Sequence, residues 1–263
     1  MPSGFDVEPV RHDCKLDSCP NLSRTLLTIR SQPTPTCTWR PEAVDRPRLE
    51  LDEASITIVP ANEATWEDLR AIFGDRGYTA YCQCQRFKIG HHEWTDTPLA
   101  VRMERLRAET HCGFPSARKT SGLVAYLHGE PVGWCAVEPR TAYPRLPPAR
   151  VAWKARGEDK DDDGVWAVTC FVTRAGFRRQ GISRALARAT VDFARGRGAR
   201  ALEGYPMITE PGQEITWGEL HVGSRSIFAD AGFEEVSHPT LRRVVMRIDF
   251  HGRSGSTVPR PGA

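Results

Sequence analysis

The sequence predicts an α+β domain built on a mixed, mostly antiparallel sheet flanked by helices. Three observations carry this. Short apolar runs alternate with segments of helical periodicity in the order βααβββαβαββ. A hairpin signal, His128-Gly129-Glu130-Pro131, sits between two apolar runs. One dense apolar run, Val165 to Val172, leads through a short basic loop directly into an amphipathic helix.

The elements follow in order. Ser55 to Val59 reads as a strand with Ile56 and Ile58 on one face. A helix is expected from about Glu63 to Phe73, capped by Asn62, with Trp66, Leu69, Ile72 and Phe73 on one stripe. Thr97-Pro98 is a cap followed by proline at a first helical position. Leu99, Met103, Leu106 and Thr110 would form that helix's inward side, and its end falls near Gly113. Leu123 to Leu127 and Val132 to Val137 are the hairpin strands. Arg140 to Gly164 is a loop with an acidic run at Asp159 to Asp163. After the strand at Val165 to Val172, Ile182, Leu186, Ala189 and Phe193 recur at helical spacing, and Gly196 or Gly198 ends that helix. Leu202 to Tyr205 is a short strand. Ser224 caps a helix that holds Ile227 and Phe228 and stops at Gly232. Phe233 to Val236 and Leu241 to Phe250 form the last strand pair.

Composition limits the function classes. The chain has 263 residues, 40% hydrophobic and 26% charged, with a formal net charge of only +3. That balance supplies no broad basic field, so a nucleic acid partner is not favoured. No apolar run is long enough to span a bilayer, and the N-terminus lacks an apolar signal core, so no membrane partner is expected. Eight cysteines in a chain of this size read as reduced thiols in a cytoplasm. Residues 1–52, rich in Pro, Arg, Ser and Thr, read as a disordered extension, residues 53–250 as the folded domain, and residues 251–263 as a disordered tail.

The informative chemistry lies at Arg178-Arg179-Gln180-Gly181-Ile182-Ser183. Gly181 allows close backbone approach to a ligand. The helix that follows presents unpaired N–H groups and the positive end of its dipole. Together they form a cradle for a pyrophosphate, with Arg178 and Arg179 adding charge. The spacing is neither the Gly-Lys-Ser/Thr of a phosphate-binding loop nor Gly-x-Gly-x-x-Gly.

This stretch resembles motif A of the GNAT acetyltransferases, Arg/Gln-x-x-Gly-x-Gly/Ala, at Arg178, Gly181 and, with serine in place of glycine or alanine, Ser183. Ala231-Gly232-Phe233, followed by Glu234-Glu235-Val236, resembles the end of motif B. The resemblance covers about Ser55 to Phe250 and is to bacterial members of that superfamily. It implies a sheet that splays beside the strand ending Cys170-Phe171-Val172, whose backbone would hold pantetheine. It implies acetyl-CoA as co-substrate and a primary amine, on a small molecule or a protein, as acceptor. A homodimer stays open.

The catalytic residues common in that family do not transfer. Phe228 stands where motif B often has a tyrosine acid, and Val165-Trp166-Ala167-Val168 holds no glutamate base. Glu203 and Tyr205, on one face of their strand by alternation, are the replacement candidates, with His221 before motif B a third. Glu138 or Arg140 would reach the acceptor pocket. Arg184, Arg188 and Arg195 share a helix face that could meet the ribose phosphate of CoA or simply be solvated. Cys82, Cys84, Cys112, His91 and His92 do not match a zinc pattern, so no metal is expected. A non-catalytic acyl-CoA sensor, motivated by Phe228, is the other function class.

Overall fold

A computed structural model describes residues 55–210, 212 and 215–250. The segments read from sequence as a disordered extension and tail, 1–52 and 251–263, lie outside the described residues. Seven strands form one sheet: β1 (Ile56–Pro60), β2 (Gly122–Leu127), β3 (Glu130–Pro139), β4 (Val165–Thr173), β5 (Ala201–Gly204), β6 (Glu234–Thr240) and β7 (Arg243–Asp249). Their spatial order is β1-β2-β3-β4-β5-β7-β6. Only β4 and β5 run parallel, because the connection between them is a full helix rather than a turn. His128 and Gly129 both take positive φ, the conformation a tight hairpin demands, and bring β3 back beside β2.

The connecting helix, α6 (Ile182–Gly196), buries Ile182, Leu186, Ala187, Thr190, Phe193 and Ala194, one stripe at helical spacing. That stripe covers one face of the sheet, against Leu123, Cys135, Val168 and Leu202 among others. Gly133 permits the close approach, since a Cβ there would stand 2.4 Å from Ile182 Cγ2. The opposite face is covered by α1 (Trp66–Phe73) and α4 (Leu99–Thr110), and farther along by α5 (Arg150–Trp153); α2 (Gly77–Cys82) packs against α4, and α3 (Glu93–Asp96) lies between them in the chain. Two short helices, α7 (Trp217–Leu220) and α8 (Arg225–Ala229), precede the final hairpin.

Several sequence expectations are corrected here. α1 is capped by Thr65, not Asn62: Thr65 Oγ1 accepts from Asp68 N and the Asp68 carboxylate accepts from Thr65 N. The Asn62 amide instead donates to the carbonyls of Phe114, Pro115 and Ala117, at 3.4, 3.0 and 3.3 Å, tying β1 to the segment after α4. In α4 the inward stripe is Arg102, Leu106 and Thr110, while Leu99 is exposed. Arg102 is wholly buried because its guanidinium lies 4.0 Å over the Tyr81 ring and 4.1 Å over the Trp94 ring and donates to Tyr81 O at 3.0 Å. Helices α2 and α3 were not visible in the sequence. They are one-turn elements without amphipathic period, and α2 ends where Gln83 and Cys84 take φ of 47° and 56°.

Candidate active site

The site begins with an irregularity in β4. Ala136 stands opposite Cys170 but Val137 stands opposite Val168, so Thr169 is an extra residue with no partner on β3. Such a bulge bends its strand and increases the local twist. Pairing of β4 with β5 ends at the same level, at Val168 and Gly204. The sequence reason lies just beyond: Tyr205 is followed by Pro206, which has no amide to continue a ladder. Past this point the two strands part, and β4 from Thr169 to Thr173 has no strand neighbour on its β5 side. The chain around His221 enters the fork, and the Phe171 amide donates to His221 O at 2.6 Å.

The fork opens toward the start of α6. Gly181 is the N-cap, with φ 77°, and its carbonyl accepts from Arg184 and Ala185 at 2.9 and 3.0 Å. The amides of Gln180, Gly181, Ile182 and Ser183 donate to no backbone acceptor among the described residues. A Cβ built on Gly181 meets nothing within 4 Å, so the space beside this glycine is open. Thr173 Oγ1 and Ser183 Oγ lie 3.2 Å apart and tie the end of β4 to the first helical turn. Between them and the chain before α8 lies a cavity of about 450 Å³, lined by Phe171, Thr173, Arg178, Arg179, Ser183 and Ser224 among others. Of the residues singled out from sequence, Phe171, Arg178, Arg179 and Ser183 therefore come together around one cavity. Gln180 folds back, donating to Gly176 O at 3.3 Å, and Ile182 is a core anchor. The side chains of Cys170 and Val172 point into the opposite core, so only their backbone belongs to the strand's bonded edge. On the outer face of α6, Arg184 pairs with Asp230 at 3.0 Å and Arg195 with Asp192 at 3.3 Å.

On the other side of the sheet, Glu203 and Tyr205 do share a face: the Tyr205 hydroxyl donates to Glu203 Oε2 at 3.0 Å. Glu203 is 0% exposed. Its carboxylate is ringed by Arg156, by Arg247 at 2.7 Å and by Arg140 at 3.5 Å. A carboxylate held by three guanidinium groups is an internal counter-ion. Its lone pairs are committed, so the expectation that it serves as a free base is corrected. Burial, followed by the Glu203 charge, pushes the Tyr205 hydroxyl well above its ordinary pKa, and its proton is engaged with Glu203. The Cys170 thiol is also raised, through its hydrogen bond to Cys84 and through burial, and Cys82 and Cys135 are raised by burial.

Two other groups on this face have the chemistry that Glu203 lacks. His221 is buried with Nδ1 2.8 Å from Gly218 O, which fixes the proton on Nδ1 and makes Nε2 the basic nitrogen. Burial first, then the charge of Arg86, lowers its pKa to about 4, so the ring is neutral at neutral pH. Glu138 on β3 lies opposite Ala167, which on its other side lies opposite Glu203. Burial raises Glu138 to about 6 against the opposing pull of Lys88, whose Nζ lies 2.5 Å from Glu138 Oε2 and 3.1 Å from Glu109 Oε2.

Residues 75–205, which hold the fork and the start of α6, match the model of the acetyltransferase (GNAT) family. The chain belongs to the GNAT superfamily. No curated protein matches it. Among solved structures, a GCN5-related N-acetyltransferase from Kribbella flavida is 16% identical, with 76% of this chain and 100% of that chain covered and a TM-score of 0.44. A structure of AAC(6')-Ib in complex with paromomycin and acetyl-CoA is 18% identical, with 80% and 99% covered and a TM-score of 0.42. A protein from Pyrococcus horikoshii is 17% identical, with 74% and 99% covered and a TM-score of 0.40.

Within this GNAT domain the departures noted in the sequence have structural causes. Phe228 is 0% exposed. Its ring meets Phe233 edge-on at 4.9 Å and Phe171 at 5.8 Å, and it occupies the space that a Gly204 side chain would fill. It is a core residue packed against Gly204, where the β4–β5 pairing ends. Ala167, on the strand where many GNATs carry a glutamate, is flanked in register by two glutamates from neighbouring strands. Sequence spacing alone gave no sign of that, because Glu138 and Glu203 are 65 positions apart and meet only through the sheet.

Proposed function

We propose that this chain transfers the acetyl group of acetyl-CoA to a primary amine. The observation that carries the reading is the fork between β4 and β5, which ends at Val168 and Gly204 and leads to the unclaimed amides of Gln180 to Ser183. The residues suit the co-substrate: the amides and Arg178 and Arg179 complement a diphosphate, and the edge of β4 past Val168, which has no strand neighbour on its β5 side, offers backbone groups to the pantetheine amides. In the transfer, the amine nitrogen attacks the thioester carbonyl, an N–C bond forms and the C–S bond breaks. The amine's proton passes to a base, and the thiolate leaves to be protonated as CoA. His221, neutral and beside Phe171, is one base candidate from this chain; Phe228 excludes an acid at its position.

To hold pantetheine, the Phe171 amide would exchange the His221 carbonyl for the ligand. The test is CoA release from acetyl-CoA across an amine panel, with acetyl-CoA affinity measured in parallel. Gly181→Val is expected to abolish affinity while leaving the circular dichroism spectrum intact, because its φ of 77° and the open space before it serve the ligand. Unaltered affinity in that variant refutes the cradle. Tight acetyl-CoA binding with no turnover on any amine supports a sensor instead, the reading that the phenylalanine at 228 favours.

A further inference from the structure

A cavity of about 560 Å³ lies away from the α6 cradle, at the end of the sheet where β3 finishes and β4 begins. Its lining includes Glu109, Glu138, Arg118, Lys119, Arg197 and Trp166. The charges are sorted. Glu109 and Glu138 share the single ammonium of the half-buried Lys88, which leaves one negative charge in excess. Beside them the wholly buried Gln85 donates through Nε2 to Glu109 at 2.9 Å, while its side-chain oxygen has no hydrogen-bond partner among the described residues. Burying such an oxygen without a donor is costly. On the rim, Arg118 and Lys119 are exposed cations with no carboxylate partner among the described residues, and Arg197 lies against the Phe193 ring.

An inner wall that needs one more cation and a rim that offers unpaired cations fit a molecule with both signs of charge. We propose that this cavity binds a small zwitterion of the α-amino acid class as the acetyl acceptor, its ammonium at Glu138 and Glu109, its carboxylate at Arg118, Lys119 and Arg197. The apolar part of the ligand would lie on Trp166. Glu138 is then the base that takes the ammonium's proton. Its partner across the sheet, Ala167, is one residue before the last β4–β5 pair and two before the bulge at Thr169, so Glu138 lies in register just short of the fork. Tyr143, wholly buried, lies near both Glu138 and Thr169. A carboxyl raised to about 6 is ionised at neutral pH yet basic enough to accept a proton during reaction.

The acceptor role rests on the acetyltransferase reading; the binding of a zwitterion does not. Calorimetry on the full chain without acetyl-CoA therefore comes first, with L-leucine and L-phenylalanine as probes and with phenethylamine and 3-phenylpropionate as the two halves of L-phenylalanine. The amino acids are expected to bind, and each half to bind about tenfold more weakly or worse, since each leaves one set of charges unpaired. Arg118→Ala with Lys119→Ala should erase the preference over phenethylamine. Glu138→Gln should erase the preference over 3-phenylpropionate and remove the acid limb near pH 6 from kcat/KM in CoA release. Equal binding of the halves, no binding of any probe, or bound amino acid that never releases CoA although acetyl-CoA is bound would each overturn the proposal. Failure to bind acetyl-CoA at all would overturn the acetyltransferase reading instead, and leave the calorimetry to judge the zwitterion site.

Discussion

The neutral, buried His221 makes the stability of this protein depend on pH in a calculable way. Its pKa is 6.5 as an unperturbed side chain and about 4 in the fold, chiefly through burial. The unfolded chain therefore binds a proton that the folded chain refuses. The associated stability is present in full above the unfolded value, declines as pH falls below it, and is gone once pH has passed the folded value. At 1.36 kcal/mol per pKa unit the full effect is about 3 kcal/mol, and about 2 kcal/mol of it is lost between about pH 7.5 and pH 5. Glu138 acts in the opposite sense. Its pKa rises from 4.5 to about 6 on folding, so the folded chain binds the extra proton first, and acidification restores about 1 kcal/mol by about pH 5 and about 2 kcal/mol in full below the unfolded value. Wild-type denaturation alone would thus blur the two. Urea unfolding followed by tryptophan fluorescence, on wild type and His221→Gln at a series of pH values, separates them, because the Glu138 contribution is common to both. The wild-type advantage at neutral pH should shrink by about 2 kcal/mol on going to about pH 5. Parallel stability curves for the two proteins would refute the buried neutral imidazole.

Gly204→Ala places a Cβ 2.2 Å from Phe228 Cε1, and that ring is held by Phe171 and Phe233. A loss of about 1–3 kcal/mol is expected in urea unfolding, and Phe228→Leu in the same chain should recover part of it; additive losses would show that the two do not touch. Glu203→Gln removes the one carboxylate that Arg140, Arg156 and Arg247 share, and breaking a buried pair of this kind destabilises by about 3–5 kcal/mol. A variant with unchanged melting temperature would mean that Glu203 is not their counter-ion, which would reopen it as a proton acceptor.

The sequence by itself determined the parts of this protein that local chemistry controls. Helix α6 was legible because Ile182, Leu186, Ala189 and Phe193 recur at its period, and the hairpin because His128-Gly129 is a turn signal between apolar runs. The Gly181 loop was legible because a left-handed N-cap beside unpaired amides needs glycine, whatever the rest of the chain does. Even the end of β5 could be read from Pro206. The tertiary structure decided what depends on register and burial. Whether Glu203 is a base or a counter-ion turned on three arginines drawn from the loop after β3, the segment after α5 and β7. Whether Ala167 leaves the acceptor face without an acid turned on which residues β3 and β5 set beside it, and a shift by one residue would have turned Glu138 to the other face. Asn62 looked like a cap and became a tether, because three carbonyls from beyond α4 reached it while Thr65 and Asp68 satisfied the helix. Local preference acts along the chain within a turn or two. The electrostatic environment of a carboxylate or an imidazole is set by groups that only the closed sheet brings within a few ångströms.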